Sequence, residues 1–416
     1  MEQVVIDAIG GLGDGMGRID GKPVFVPKSC AGDTVSVRII HETKEAMRAQ
    51  IERVLVAGPQ RVSPPCPHFF ACGSCSLQQL STTAYEGFKR KVVGDALSHG
   101  GFADTSFDML FLPAASRRRV EFQLHHEAGR TKLAYFGLRG HNKVAVDSCL
   151  IITPALQALM NPLAQGLSTL PFVAHLRSVN LTETPAGIDA TLALAVPVKD
   201  VQAALETLGR KLGLARLSTR LGEGKPQVVY AQSEVVVTLG DYDVPLPPDA
   251  FLQAAEEAQS RLTQFLIDNI SNSTYIIDLF CGIGTYSLPL AASARVHAAE
   301  LHGGSIDGLN ATIKRYNLAQ KLSAEARDLF KAPFSATELS RFDCAVINPP
   351  RAGAKAQAEA LADSGIKRVL MVSCNPGSFA RDAKILKNAG FTLTHALGID
   401  QFVWSPHLEI AACFQR

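Results

Sequence analysis

Cys374 closes an apolar run, Val369 to Ser373, and is followed at once by Asn375-Pro376-Gly377. Such a run bounded by turn residues reads as a buried parallel strand entering a loop. Open α/β sheets bind ligands at that carboxyl end, so the thiol stands where a nucleophile could attack a substrate. A lone cysteine is more often a buried structural thiol, and only its companions argue otherwise. Glu409 stands at the start of the last apolar run, after the turn Ser405-Pro406-His407. A carboxylate there is partly buried, with a raised pKa that suits a base, although alone it reads as an edge-strand charge. His407 takes no role.

The run YIIDLF enters a glycine-rich turn, Cys281-Gly282-Ile283-Gly284-Thr285, and then a helix. Two glycines let the backbone approach a ligand closely at a helix N-terminus, and a dinucleotide is the competing occupant. Glu300 ends the next strand, sixteen residues after Gly284, where it could accept from two ribose hydroxyls. Asp328 follows a further strand and would take an adenine amine. After FDCAVI comes Asn348-Pro349-Pro350-Arg351. Two prolines stiffen this loop, and the Asn amide could meet N3–H and a carbonyl of uracil or the exocyclic amine of adenine.

A separate cluster is made of sulfur. Cys66, Cys72 and Cys75 are spaced C-x5-C-x2-C in a Pro/Gly-rich loop, and Cys149 follows after 73 residues. Three close thiolates and one distant one suit tetrahedral zinc or an iron–sulfur cluster. The spacing does not choose, and zinc is the commoner metal in nucleic-acid modules. Nine cysteines with no export signal argue against a disulfide framework and for the cytoplasm. No apolar run reaches membrane-spanning length. A net charge of +2 leaves any nucleic-acid surface to a local patch.

The 416 residues that position these groups divide into three parts. Residues 1–58 hold about five short β-type runs between Gly-rich turns, the size of a small OB-like β-barrel. Seven Lys/Arg against eight Asp/Glu give it no basic bias. Residues 59–244 read as a central α+β domain around the cysteines. Its segment 78–109, a helix carrying Lys89-Arg90-Lys91, is expected to pack on the C-terminal domain. Residues 78–143 carry ten Lys/Arg against six Asp/Glu, and Arg117-Arg118-Arg119 open a strand fit for phosphate contact. Residues 245–416 read as an α/β domain on a Rossmann-like parallel sheet.

The turn D-x-F-x-G-x-G-T resembles motif I of class I S-adenosylmethionine-dependent methyltransferases. That resemblance marks Asp278, Gly282, Gly284, Thr285, Glu300, Asp328 and Asn348 as cofactor contacts. The segment C-x5-C-G-x-C-x-L-Q resembles the 4Fe–4S segment of RNA uracil-5-methyltransferases and points to that cluster over zinc. Gly10 to Gly17, DGKPVFVP and AGDTVSV resemble the TRAM domain, an RNA-binding barrel. Taken with the NPPR loop, SCNP and HLE, nearly the whole chain resembles the RNA uracil-5-methyltransferase family, most closely its 23S ribosomal RNA branch. The tRNA branch typically lacks the barrel and the cluster.

The resemblance implies methyl transfer to C5 of a uridine in RNA, ribosomal RNA before tRNA, by an enzyme acting as a monomer. Cys374 becomes the nucleophile at C6, Glu409 the base, and Gln253 the glutamine of the F-x-Q motif at the substrate and cofactor. Uracil C5 is too weak a nucleophile until a thiolate adds at C6, which accounts for the residue types. The base must also leave its stack. Two departures stand out: Asn348 where the family usually has Asp, and Ala255 where it usually has Asn. An amino-methyltransferase acting on adenine or guanine is the competing reading, but its loop usually continues with an aromatic residue where Arg351 stands. A non-catalytic RNA-binding protein is the third.

Overall fold

Tyr275–Leu279, Cys344–Ile347 and Arg368–Ser373 are apolar almost throughout because both faces of their sheet are covered. Alternate residues part to opposite sides. Ile276, Val346, Leu370 and Val372 enter one core; Ile277, Ala345, Val369 and Met371 enter the other. The computed structural model describes residues 2–138, 140–198 and 201–416. In it these strands belong to an eight-stranded sheet. Its order is Leu322–Ala326, Arg295–Glu300, Tyr275–Leu279, Cys344–Ile347, Arg368–Ser373, Glu409–Gln415, Thr392–Asp400, Asp108–Phe111. The first five strands are parallel, and Glu409–Gln415 is antiparallel to both its neighbours. The chain order reverses between Tyr275–Leu279 and Cys344–Ile347, so the crevice beyond their carboxyl ends is the place for a ligand.

The outermost strand, Asp108–Phe111, comes from far upstream of position 245 and pairs in parallel with Thr392–Asp400. Helix Thr82–His99 joins the same sheet. Its Val92, Val93, Ala96 and Leu97 share a core with Phe379, Ala383 and Leu386 of helix Pro376–Asn388. Lys89 lies on that inner face with Tyr85, Phe88 and Val92, so it leaves the surface run Lys89-Arg90-Lys91. Its fully buried Nζ stands 2.6 Å from Asp400 Oδ1 and donates to the His407 carbonyl at 2.5 Å. The Tyr85 hydroxyl donates to the same carboxylate. Lys89→Met would leave the Asp400 charge buried without its cation. A loss of about 3–5 kcal/mol, read as a lower midpoint of urea unfolding, is expected.

The central part is a seven-stranded sheet in the order Lys143–Ala145, Arg130–Phe136, Arg119–Glu127, Leu176–Thr184, Gly187–Leu194, Arg216–Leu221, Gln227–Ala231. Only Gly187–Leu194 and Arg216–Leu221 pair in parallel among the described strands of this sheet. Helices Pro154–Ser168 and Gln202–Lys211 bury Leu156, Leu163, Leu205 and Leu208 against it. The hairpin Val236–Leu239/Tyr242–Pro245 puts Val237, Leu239 and Val244 into the C-terminal core.

At the N-terminus six strands pair in the order Glu2–Val5, Thr34–Glu42, Met47–Val56, Lys22–Pro27, Asp14–Ile19, Ala8–Ile9. The two ends of that order are consecutive in the chain. The sheet therefore curls back on itself around Val4, Ile6, Val24, Val26, Val35 and Val37. Lys28 leaves this module buried, its Nζ donating to the carbonyls of Phe69, Phe70 and Cys72.

Candidate active site

A cleft of about 600 Å³ opens at the carboxyl ends of the C-terminal strands. Cys374, Glu409, Gln253, Gly282, Glu300, Asp328 and Asn348 all line it. Asp278, Gly284 and Thr285 are not among its lining residues. Asp278 is wholly buried beneath the turn, where Ser287 Oγ donates to its Oδ2 at 2.5 Å. Burial pushes its carboxyl up to about 7, against the Ser287 hydrogen bond. It anchors the start of the helix Ser287–Leu290. Gly284 has φ +86°, and a Cβ there would sit 2.7 Å from Leu309 Cδ1, so its lack of a side chain serves helix packing. Thr285 is half-buried in the turn.

Glu300 ends Arg295–Glu300 with its carboxylate already oriented. It accepts from the Gly282 amide at 3.1 Å and the His302 amide at 2.9 Å. Asp328 accepts from the amides of Phe330 and Lys331 at 3.1 and 3.2 Å. Both acids thus stand on backbone donors at the ends of successive strands, the placement expected of groups that hold a ribose and an adenine. Phe280 opens the glycine-rich turn in the left-handed region at φ +62°, a strained conformation of the kind that gathers at ligand sites.

Across the cleft Cys374 follows Arg368–Ser373, and Asn375 caps the next helix by accepting from the amides of Gly377 and Ser378. Burial first, then the Glu409 charge, raises the Cys374 thiol, and the Arg351 guanidinium opposes them. Glu409 is 3% exposed. Burial pushes it up to about 8, against the Gln401 hydrogen bond and Arg351. Its Oε1 accepts from Gln401 Nε2 at 3.0 Å, and its Oε2 has no partner. A buried carboxyl oxygen without a partner beside a thiol is equipped to receive a proton. His407 is the other titratable neighbour in this loop. Burial, Arg351 and Lys89 push it down to about 4, too weak a base to compete.

Gln253 is buried, donates from Nε2 to the Tyr286 hydroxyl at 3.2 Å and accepts from Gln401 Nε2 at 2.7 Å. The three arginines divide. Arg118 pins the Gln253 loop, donating to the Gln253 carbonyl at 3.2 Å and to Gln259 Oε1 at 2.8 Å. Arg117 and Arg119 line the cleft, over the rings of Phe402 and Phe251 at 5.8 and 5.4 Å. Gln401, Tyr286 and Phe402 carry no motif in the sequence, whereas Phe251 is the Phe of the F-x-Q motif that marks Gln253. Arg351 belongs to the NPPR loop, yet its closeness to Cys374 and Glu409 needed the fold.

The four cysteines line one small cavity, together with His68, Gln78 and Tyr135. Burial is the main force on Cys75, pushed up to about 12, with the other three thiols adding to it. Among the described residues no group of three or more His, Cys, Asp or Glu side chains could hold a single metal ion. Ser76 and Leu77, next to Cys75, donate their amides to the Trp404 carbonyl at 2.9 and 3.0 Å. The cysteine segment thus touches the loop between Gln401 and Glu409.

This sheet order and cleft are those of a methyltransferase, and comparison with known proteins agrees. Over 99% of its length the chain has the fold of a Pyrococcus abyssi tRNA (uracil-54, C5)-methyltransferase solved with S-adenosyl-L-homocysteine, with TM-score 0.75, 20% identity and 100% of that chain covered. Residues 102–416 match the model of the family described as tRNA (uracil-5-)-methyltransferase. The chain is 35% identical, over all of both proteins, to an uncharacterized RNA methyltransferase of Caulobacter vibrioides. It is 28% identical to the 23S rRNA (uracil(1939)-C(5))-methyltransferase RlmD of Pectobacterium atrosepticum, over 99% of this chain and 93% of that one. The chain is an S-adenosylmethionine-dependent RNA methyltransferase and belongs to the tRNA (uracil-5-)-methyltransferase family.

Proposed function

We propose that this enzyme methylates C5 of a uridine in RNA through a covalent bond between Cys374 and C6, with 23S ribosomal RNA the favoured substrate. The observation that carries the reading is one cleft holding Cys374, Glu409 and Arg351 together with Glu300, Asp328 and the stiff Asn348-Pro349-Pro350 loop. Glu300 would bind the cofactor's ribose and Asp328 its adenine, with Gly282 giving close backbone approach. S-adenosylmethionine supplies an electrophilic methyl group. The Cys374 thiol gives its proton to solvent, and Arg351 steadies the resulting thiolate, which adds to C6 and breaks the C5–C6 double bond. The charge moves to O4, where the Gln253 amide or Asn348 donates. C5 then attacks the methyl group, whose bond to sulfur breaks with S-adenosylhomocysteine as the leaving group. Glu409 takes the C5 proton, the double bond re-forms and the thiolate leaves.

Phe251, 55% exposed and covered on one side by Arg119, would stack on RNA bases while Arg117 and Arg119 meet phosphate. The N-terminal sheet would act as a TRAM-like RNA module. The relative named for 23S rRNA spans nearly the whole chain and favours that substrate. A tRNA enzyme shares the fold over 99% of the chain, so the presence of an N-terminal module does not by itself separate the two RNAs. No helix among the described residues is long and apolar enough to cross a membrane. A monomer in the cytoplasm is part of the same reading.

The cysteine cavity supports a 4Fe–4S cluster held by Cys66, Cys72, Cys75 and Cys149 as a structural group, since the scheme needs no electron. Four cysteines around one cavity are the ligand set that a 4Fe–4S cluster takes. Protein purified without oxygen is expected to be brown, with iron and acid-labile sulfide. Stripping the cluster should lower the thermal midpoint and open the Trp404 contact to hydrogen exchange. Colourless, zinc-loaded protein would refute the cluster.

The reading as a whole is tested with 5-fluorouridine-substituted RNA. Fluorine at C5 cannot leave as a proton, so a covalent protein–RNA band carrying a labelled methyl should accumulate on a denaturing gel. Running ribosomal beside transfer RNA fragments names the substrate. Methyl transfer without any band would point instead to amino-methylation.

A further inference from the structure

Gln401 follows the strand Thr392–Asp400 and is 2% exposed. Its amide is fully committed. Oε1 accepts from the Ala255 backbone N–H at 3.2 Å, and Nε2 donates to Gln253 Oε1 at 2.7 Å and to Glu409 Oε1 at 3.0 Å. A backbone N–H can only donate, so the amide has one orientation: oxygen toward Ala255, both N–H bonds toward the two site residues. Ala255 has no side-chain amide to offer there, and Gln401 brings one from the other end of the domain. Its own position is enforced. Asp400, the preceding residue, is locked by Lys89 and Tyr85 in the core.

We propose that Gln401 is a positioning residue that sets two site groups at once. It holds Glu409 by one oxygen, leaving the other for proton transfer, and it orients Gln253 so that one N–H goes to the Tyr286 hydroxyl and the second is left for the substrate. The proposal rests on the uracil-C5 reading above. The second consequence bears on which base is accepted. With its oxygen facing the Gln401 donor and one N–H given to Tyr286, Gln253 has a single N–H to offer the base. Uracil presents a carbonyl at C4 and satisfies that donor. Cytosine presents an amine at C4 and would set donor against donor.

The groups facing Glu409 are Cys374 from the end of the neighbouring strand, Arg351, Tyr286 from the turn after Gly284, and Gln401 itself. Removing Gln401 leaves the other three in place. It deletes a hydrogen bond that favours the ionised carboxylate, so Glu409 should ionise at higher pH.

The test compares wild type, Gln401→Met and Gln401→Glu on ordinary uridine RNA, after S-adenosylmethionine binding has shown each to be folded. Met matches the volume and removes the amide. In Gln401→Met, resolution of the methylated adduct should slow roughly a hundredfold, as expected for a reacting group out of place. The covalent band should accumulate without fluorine, and the pH midpoint of its decay should rise. Gln401→Glu places an acceptor against Gln253 and turns that amide round. Addition to uridine should then slow, and its lead over the matching cytidine RNA should shrink. Wild-type decay and pH midpoint in Gln401→Met, with unchanged base preference in Gln401→Glu, would overturn the proposal. Absence of any 5-fluorouridine adduct in wild type would instead remove the uracil-C5 reading beneath it.

Discussion

Cys374→Ala is expected to lose methyl transfer by four to six orders of magnitude, roughly the cost of removing a covalent nucleophile. It should bind S-adenosylmethionine as wild type does. The two outcomes separate because the site is built from different strands. Cys374 hangs from the end of Arg368–Ser373, whereas Glu300 and the glycine-rich turn belong to Arg295–Glu300 and Tyr275–Leu279. The cap that starts the following helix uses Asn375, not the thiol, so the loop survives the change. Cys374 is only half-buried, and truncation to Ala leaves little void. Calorimetric titration with the cofactor and the 5-fluorouridine gel measure the two outcomes. Loss of cofactor binding would mean that the cysteine serves structure.

The Cys374 thiol is held above its ordinary pKa. Burial and Glu409 both disfavour the thiolate, and the Arg351 guanidinium pulls the other way. Arg351→Met should therefore raise the pH needed for adduct formation.

Much of this site was legible because its parts sit at the ends of buried runs. YIIDL, CAVI and RVLMVS announce covered strands, and the turn after each of them reaches the cleft, through Gly282, Asn348 and Cys374. Motif reading was less reliable where a residue's service is to packing. Asp278 and Gly284 both belong to the marked pattern, yet Asp278, in the strand Tyr275–Leu279, is sealed beneath the turn and Gly284 makes room for Leu309. Period and composition say nothing about partners far away in the chain. The helix Thr82–His99 was readable as a helix, but the pairing of Lys89 with Asp400 across more than three hundred positions was not. The strand Asp108–Phe111 likewise joins a sheet whose other members all lie beyond residue 270. Gln401 and Tyr286 look like ordinary polar residues until the fold sets them beside Gln253 and Glu409.

Glu409→Gln should convert the enzyme into one that stops at the methylated adduct. Addition at C6 and methyl transfer do not use the carboxylate, so both should proceed once. Loss of the C5 proton does use it, and without that loss the thiolate cannot leave. Ordinary uridine RNA should then give a stoichiometric, labelled covalent band, with turnover reduced by roughly three orders of magnitude or more. In wild type the same carboxyl sets a pH dependence. Its pKa in the fold, about 8, lies above the ordinary carboxylate range, so most of it is protonated at neutral pH. The base form grows as pH rises, and kcat/KM should climb between about pH 6 and pH 9, by up to tenfold per unit for each group that must ionise. Stability runs the opposite way. A group that binds its proton more tightly when folded stabilises the fold fully below the ordinary carboxylate range, and that contribution is lost as pH passes through about 8. Glu409→Gln keeps a neutral, similarly shaped side chain there. It should therefore unfold at higher denaturant than wild type above pH 8, while being far less active. A variant that is both inactive and less stable under those conditions would mean that Glu409 holds the strand in place instead of moving a proton.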